Sequence, residues 1–178
     1  MTTMNAPTTA IRSEETVEVQ AFDSRELRNT LGLFATGVTI VTTTGAEAGE
    51  MIGITANSFS SLSLDPPLIL WSLALKSPSL SAFAEGRDFA VNILEHQQDA
   101  LAMQFARPSD DKFAGVSHRL NSAGVPLLDA ALAQLECQVE FTRVAGDHLL
   151  IVGRVLAFSK ADGEPLLFYK GGFQQLCA

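Results

Sequence analysis

Two apolar segments flank a polar connection between Ile52 and Leu73, and this pattern commits the chain to a sheet-built fold. Ile52, Ile54 and Ala56 alternate toward one side, as in a strand with one buried face, and Leu68–Leu73 is an apolar run of strand length. The connection is rich in Ser and ends on Asp65-Pro66-Pro67. With no N–H and a fixed φ, the two prolines stop one strand and aim the next. A polar loop clamped between buried strands can present hydroxyls and backbone amides to a ligand. Its serines could equally satisfy the loop's own backbone.

The rest of the chain supplies more strands and few helices. Asp23 as cap, Glu26 three residues on and Phe22 against Leu27 mark a helix start, with Leu27, Leu31 and Phe34 on one apolar face. Gly37 is expected to end that helix, and the β-branched run Val38–Thr43 to begin a strand. Gly45–Gly49 turns it into the next strand as a hairpin. Lys76-Ser77-Pro78-Ser79 reads as a helix N-terminus with Ser at the cap and Pro in the first turn, Leu80 and Phe83 facing inward and Gly86 ending it. Phe89, Val91 and Ile93 alternate as a strand, and a helix is expected from about Gln97 to Phe105. Arg107–Val125, broken by Pro, Asp, Gly and Ser, reads as an irregular excursion.

Leu135, Cys137, Val139 and Phe141 alternate with Gln134, Glu136, Gln138 and Glu140, which predicts a strand with one wet face. Gly146-Asp147 turns it back into His148–Phe158, apolar almost throughout and therefore a central strand; Leu166–Tyr169 is a last short one. About seven short strands with few flanking helices predict a mainly β fold, closed as an antiparallel barrel. One domain is expected over 21–178, behind a disordered or extended arm over 1–20.

Charge and composition exclude several classes. A net charge of −8 lacks the basic footprint of nucleic-acid binding and opposes adhesion to anionic membranes. No apolar run approaches the roughly 20 residues that span a bilayer. Met1–Val19 lacks the basic start and apolar middle of a secretory signal, so a cytoplasmic protein is expected. Cys137 and Cys177 are too few for a disulfide framework and have no His cluster for zinc. No nucleophile elbow is present, and no Gly-x-Gly-x-x-Gly follows a strand.

Three motifs in order carry a resemblance: Phe34-Ala35-Thr36-Gly37-Val38-Thr39-Ile40-Val41-Thr42, the Gly53–Leu73 segment, and Gly146-Asp147-His148. From Phe22 to Gln175 the chain resembles the short-chain NAD(P)H:flavin oxidoreductases, the reductase components of two-component flavin-dependent aromatic monooxygenases. The resemblance implies a Greek-key split β-barrel, a homodimer with flavin sites near the subunit interface, and non-covalent, exchangeable FMN or FAD. It further implies NADH or NADPH as co-substrate and a separate monooxygenase that receives reduced flavin. A non-catalytic split-barrel protein that holds flavin or haem is the alternative.

A flavin needs a phosphate cradle, a flat slot and donors at its polar edge. Lys76, Ser77 and Ser79 are expected at the phosphate, where a helix N-terminus and a full charge would combine; an ordinary capped helix with a surface Lys is the other reading. Thr55, Ala56, Asn57, Ser58, Phe59 and Ser60, with Ser72 on the following strand, are expected at the ring, where neutral donors would stabilise the charge of reduced flavin. By resemblance Thr36, Gly37 and Val38 line the pocket, His148 faces the nicotinamide, and Lys170 in Tyr169-Lys170-Gly171-Gly172-Phe173 stands where many relatives carry Arg. Simple helix termination for the first three and a structural turn histidine for His148 are the alternatives. His96 and His118 read as surface residues. No side chain is needed as acid or base, and no metal is expected.

Overall fold

Alternating and β-branched segments pair antiparallel through most of the chain, and the computed structural model describes this for residues 23–176. In chain order the elements are α1 (Ser24–Leu31), β1 (Thr36–Gly37), β2 (Thr39–Thr44), β3 (Met51–Ala56), β4 (Ser60–Leu64), β5 (Pro67–Ala74), a 3-10 helix (Leu80–Phe83), β6 (Asp88–Ile93) and α2 (Asp99–Ala106). There follow β7 (His118–Leu120), β8 (Pro126–Leu128), β9 (Ala133–Ala145), β10 (His148–Lys160), β11 (Leu167–Tyr169) and β12 (Gly172–Gln174). The main sheet has seven strands in the order β3-β2-β6-β9-β10-β5-β4. β1-β11-β12 and β7-β8 form two small sheets beside it.

Two main cores hold these layers, beside a small third cluster of Ala90, Val125 and Leu127. One face of the main sheet buries Val41, Trp71, Phe89, Val139 and Ile151, from β2, β5, β6, β9 and β10. Phe83 of the 3-10 helix seals it, edge-on to Trp71 with ring centroids 4.9 Å apart, an arrangement that aromatic quadrupoles favour. The second core forms where α2 crosses β3. Gly53 leaves room there for the Phe105 ring, because a Cβ at 53 would lie 2.2 Å from it. Thr55 Oγ1 donates to the Ala102 carbonyl at 2.6 Å, and Lys112 Nζ donates to the carbonyls of Phe105 (2.8 Å) and Gly53 (3.2 Å). Burial lowers the pKa of that Lys112 ammonium.

A buried polar network ties the small β7-β8 sheet to the main one. Asn92 donates to Ile40 O (3.0 Å) and Thr42 Oγ1 (3.2 Å) and accepts from Leu128 N (2.9 Å), while Thr42 Oγ1 donates to Pro126 O. Each of these buried groups thus has a partner, which its desolvation demands.

Several expectations change. The ladders of the main sheet end at β3 and β4, and among the described residues no ladder joins these edges, so the expected closed barrel is not seen. β4 presents an exposed serine-rich edge with a register shift between Ser61 and Ser63. Part of the polar connection is therefore a strand rather than a loop. The first helix ends at Gly32, not Gly37, because the chain tightens into i→i+3 turns from Thr30 and Leu31. Gly37 is thereby free to pair with Leu167.

The helix expected after Pro78 is one 3-10 turn, and its Ser79 makes no side-chain cap. The second helix starts at Asp99. β9 and β10 are 13 residues each, not short, and Gln134 on the supposed wet face is buried with Nε2 donating to Leu128 O. The Asp23 cap holds, accepting from Arg25 N and Glu26 N, whereas the staple by Phe22, the 1–20 arm and Cys177 fall outside the described residues. Burial pushes the Cys137 thiol up to about 12, which makes it an inert core group.

Close approach at Gly53 yields a direct test. Gly53→Ala should destabilise the fold by about 1–3 kcal/mol in urea unfolding, because Phe105 must move. Coupling it to Phe105→Leu should recover part of that loss; a neutral Gly53→Ala would contradict the packing of α2 on β3.

Candidate functional site

A cleft of about 490 Å³ opens where β3 and β5 end beside the start of β10. Ile54, Thr55, Ala56, Asn57 and Ser58 form one side, Ser72, Leu73 and Ala74 the other, with Lys76-Ser77-Pro78 and His148 at the rim. Register brings them together: β5 and β10 pair Ala74 with His148, and Leu75 N donates to Asp147 O at 3.0 Å.

Ser58 sets the shape of this cleft. Its Oγ accepts from Ser72 N at 3.0 Å and donates to Ser72 O at 3.2 Å, so a hydroxyl takes the place of a ladder residue where the chain leaves β3. Ser58 and Thr55 therefore spend their hydroxyl protons on neighbouring backbone, the reading in which polar residues serve the fold. The Asn57 side chain, exposed and without a protein hydrogen bond among the described residues, is the free amide of the loop.

At the rim the positive charge comes from Lys76 rather than from a helix dipole. The 3-10 turn has four residues, and Ser77 Oγ accepts from Ser79 N at 3.3 Å. His148 Nδ1 lies 2.7 Å from Asp147 Oδ1. That hydrogen bond first, then the charge of His148 and in smaller part that of Lys76, hold the Asp147 carboxyl below its usual range.

A second, larger groove of about 700 Å³ meets the first at Asn57. α1 and the Gly32–Phe34 turn form one wall; Thr36, Phe168, Lys170 and Gly171 form the other. Lys170 and Gly171 have φ of +50° and +78°, as the two-residue β11-β12 hairpin requires of both central positions. Lys170 N donates to Gly32 O at 2.9 Å, which ties the hairpin to the end of α1. Thr36 Oγ1 is buried in this wall with no protein partner among the described residues.

Of the expected site residues, the cleft collects Thr55, Ala56, Asn57, Ser58, Ser72, Lys76, Ser77 and His148, and the groove collects Thr36, Asn57 and Lys170. Val38 lies instead in the second core, Phe59 packs on the first, and Gly37, Ser60 and Ser79 line neither cavity. His96 pairs with Glu95, and the His118 ring packs on Phe113. Sequence reading missed Asp147 as more than a turn residue; its signal was adjacency to His148. It also missed Phe168, which pairing with Thr36 brings to the groove, and Arg28 on the α1 wall. Among the described residues no cluster of three His, Cys, Asp or Glu could hold a metal. No described helix is long and apolar enough to cross a membrane.

The profile of the flavin reductase like domain matches residues 31–177, a span that contains the whole cleft and most of the groove. The chain belongs to this family. The FMN reductase (NADH) SmoA of Agrobacterium fabrum is 46% identical over 151 residues, 85% of either chain. The reductase component of the flavin-dependent trigonelline monooxygenase of Acinetobacter baylyi is 42% identical over 149 residues. The chain spans about half the length of that protein (48%) and of a Rhizobium meliloti relative (49%). The solved NADH:FAD oxidoreductase SgcE6 of Streptomyces globisporus, in complex with NAD and FAD fragments, shares 36% identity. It matches with a TM-score of 0.81 over 89% of this chain and 98% of that chain.

The Ser58 bridge makes the cleft testable without a ligand. Ser58→Ala should cost about 1–3 kcal/mol in urea unfolding, since it strands the Ser72 amide and carbonyl. Ser60→Ala, on an exposed hydroxyl, should stay within about 0.5 kcal/mol of the parent. Equal stability of the two variants would remove the bridge from the account.

Proposed function

We propose that the protein is an NAD(P)H-dependent flavin reductase that supplies diffusible reduced FMN or FAD to a separate monooxygenase, in the hydroxylation or degradation of aromatic compounds. One observation carries the reading: in a member of this family, a cleft with aliphatic walls has an exposed free amide on one side and a cation and an imidazole on its rim. The chemistry of this donor set fits a flavin. Ile54, Ala56, Leu73 and Ala74 offer apolar surface to a flat ring, Asn57 and backbone amides can meet its polar edge, and Lys76 and Ser77 can hold its phosphate. Thr36 Oγ1, buried without a partner among the described residues, is a further polar atom of the groove that shares Asn57 with the cleft.

A bound flavin, held by Asn57, Lys76 and Ser77, would supply its N5 as the acceptor for the hydride of nicotinamide C4. The chain's own work is to stack the two rings and exclude water, and no side chain need transfer a proton. With one Lys and mostly neutral donors, the site is suited to exchangeable flavin. The names of SmoA, of the trigonelline monooxygenase component and of SgcE6 support the assignment.

We also infer a homodimer. α1 buries none of its residues, and Leu31 (66% exposed), Phe34 (79%) and Phe158 (77%) leave more apolar surface bare than a monomer needs. Because α1 and Phe34 also wall the groove, a second copy there would place the flavin site near the subunit interface. The single core shared by five strands of the main sheet supports the split-barrel curl. The NADH supply favours the cytoplasm.

Steady-state NADH and NADPH oxidation with added FMN, FAD or riboflavin tests the proposal. Oxidation should depend on added flavin through many turnovers. Lys76→Ala should weaken FMN by about 10- to 100-fold, the loss of one charge-assisted contact of about 1.5–3 kcal/mol, and riboflavin far less. Equal losses would place the phosphate elsewhere. Flavin binding without flavin-stimulated oxidation would make the protein a non-catalytic binder.

A further inference from the structure

The irregular excursion over 107–125 is pinned to the body of the fold at Asp111-Lys112-Phe113. Asp111 Oδ1 accepts from Phe113 N at 3.0 Å, and the Phe113 ring packs edge-on against Phe105 of α2 with centroids 5.0 Å apart. From the helix side, Gln104 Nε2 donates to the carbonyls of Lys112 (2.9 Å) and Ala114 (3.0 Å). These fastenings fix the backbone of Lys112, a cation that lines neither the cleft nor the groove. Its Nζ donates to Phe105 O at 2.8 Å and to Gly53 O at 3.2 Å.

Both acceptors need an outside donor. Phe105 O belongs to the last turn of α2, whose carbonyls have no partner within the helix, and a cation suits that negative end of the helix dipole. Gly53 lies in the middle of β3, an edge strand that β2 pairs on one side and, among the described residues, no strand pairs on the other. Gly53 has no side chain with which to grip α2, because the Phe105 ring fills the place of a Cβ. Two polar ties join β3 to α2 beside that ring: Thr55 Oγ1 to Ala102 O at 2.6 Å, and Lys112, which holds both elements at once. Among the described residues Lys112 forms no ion pair, so its half-buried ammonium is satisfied by carbonyls rather than by a carboxylate.

We propose that Lys112 is a positioning residue for the flavin ring: by fastening the open edge of β3 to the end of α2, its ammonium fixes the 55–58 wall of the cleft. The proposal rests on the reading above that this cleft receives flavin. From Gly53 the chain runs through Thr55 directly into Asn57 and Ser58, and Ser58 grips Ser72 across the cleft. The wall is thus held between two anchors, Lys112 on Gly53 and Ser58 on Ser72. Slack at the first would change the gap that a flat ring has to fill and the place of the Asn57 amide at its edge. The phosphate end, at Lys76 and Ser77 on the opposite rim, would keep its geometry.

The test titrates the full-length protein with FMN and with riboflavin by fluorescence, and follows hydrogen exchange over 51–58, at a temperature well below the unfolding of every variant. Lys112→Met, which keeps the stem and removes the donors, should raise Kd for both flavins by the same factor, about three- to ten-fold, and speed exchange over 51–58. Lys112→Arg, which can donate to both carbonyls, should restore both readouts. Thr43→Val is the control for lost stability alone: it removes a hydrogen bond to Asp88 O away from the cleft and should leave both Kd values unchanged. Should Lys112→Met not fold, Lys112→Gln, neutral but with a donor amide, carries the same comparison. Parent-like flavin binding in the neutral variant, a loss matched by Thr43→Val, unchanged exchange over 51–58, or an Arg variant as impaired as Met would each overturn the positioning role while leaving the reductase reading intact. A parent protein that binds neither flavin would overturn both.

Discussion

Antiparallel pairing of β5 with β10 in one register, Trp71 opposite Ile151 and Ala74 opposite His148, sets the geometry on which the rest depends. Trp71 and Ile151 bury their side chains on the core face, so a slip of one residue would turn both out into solvent. The same register carries His148 to the end of β5 and leaves Ser72 to face the cleft. Core packing and site assembly are one constraint. Phe83, edge-on to Trp71, anchors the 3-10 helix, and the chain before it is turned by Ser77 N donating to Ala74 O at 2.9 Å.

Local chemistry made much of this readable in the sequence. The shared facing of Ile52, Ile54 and Ala56, the alternation in Leu135–Val139, the Asp23 cap and the Gly146 turn all act within a few residues, and all stand in the structure, although β3 is covered on its Gly53 face as well. What was not readable is long-range. Ser58 could be assigned to ligand or backbone only once Ser72 was seen beside it. Gly37 lost its role as helix end because Leu167, far along the chain, offered it a ladder. Gln134 looked solvated by alternation but is buried under Leu128 and takes a hydrogen bond from Arg119. The Ser-Pro-Ser sequence carries helix-start chemistry, yet the chain between β5 and β6 forms only one 3-10 turn.

The candidate site shows the same division. The cleft gathers the residues around Asn57, Lys76 and His148 that motif order had grouped. Val38 and Phe59 went to the cores instead, because their apolar side chains gain more from burial than a flavin edge could return. The larger groove was hidden from sequence, being built from α1 and the β11-β12 hairpin through one backbone hydrogen bond, Lys170 N to Gly32 O.

Release of reduced flavin is the claim on which the functional account turns, and transfer across a dialysis membrane measures it directly. Under anaerobic conditions the protein, NADH and excess FMN stand on one side and cytochrome c on the other. The account predicts that cytochrome c is reduced at a rate that follows added FMN and far exceeds that with NADH and FMN alone. Reduction only when cytochrome c shares the protein's compartment, with flavin retained stoichiometrically through extensive dialysis, would contradict it and make the protein a self-contained electron carrier.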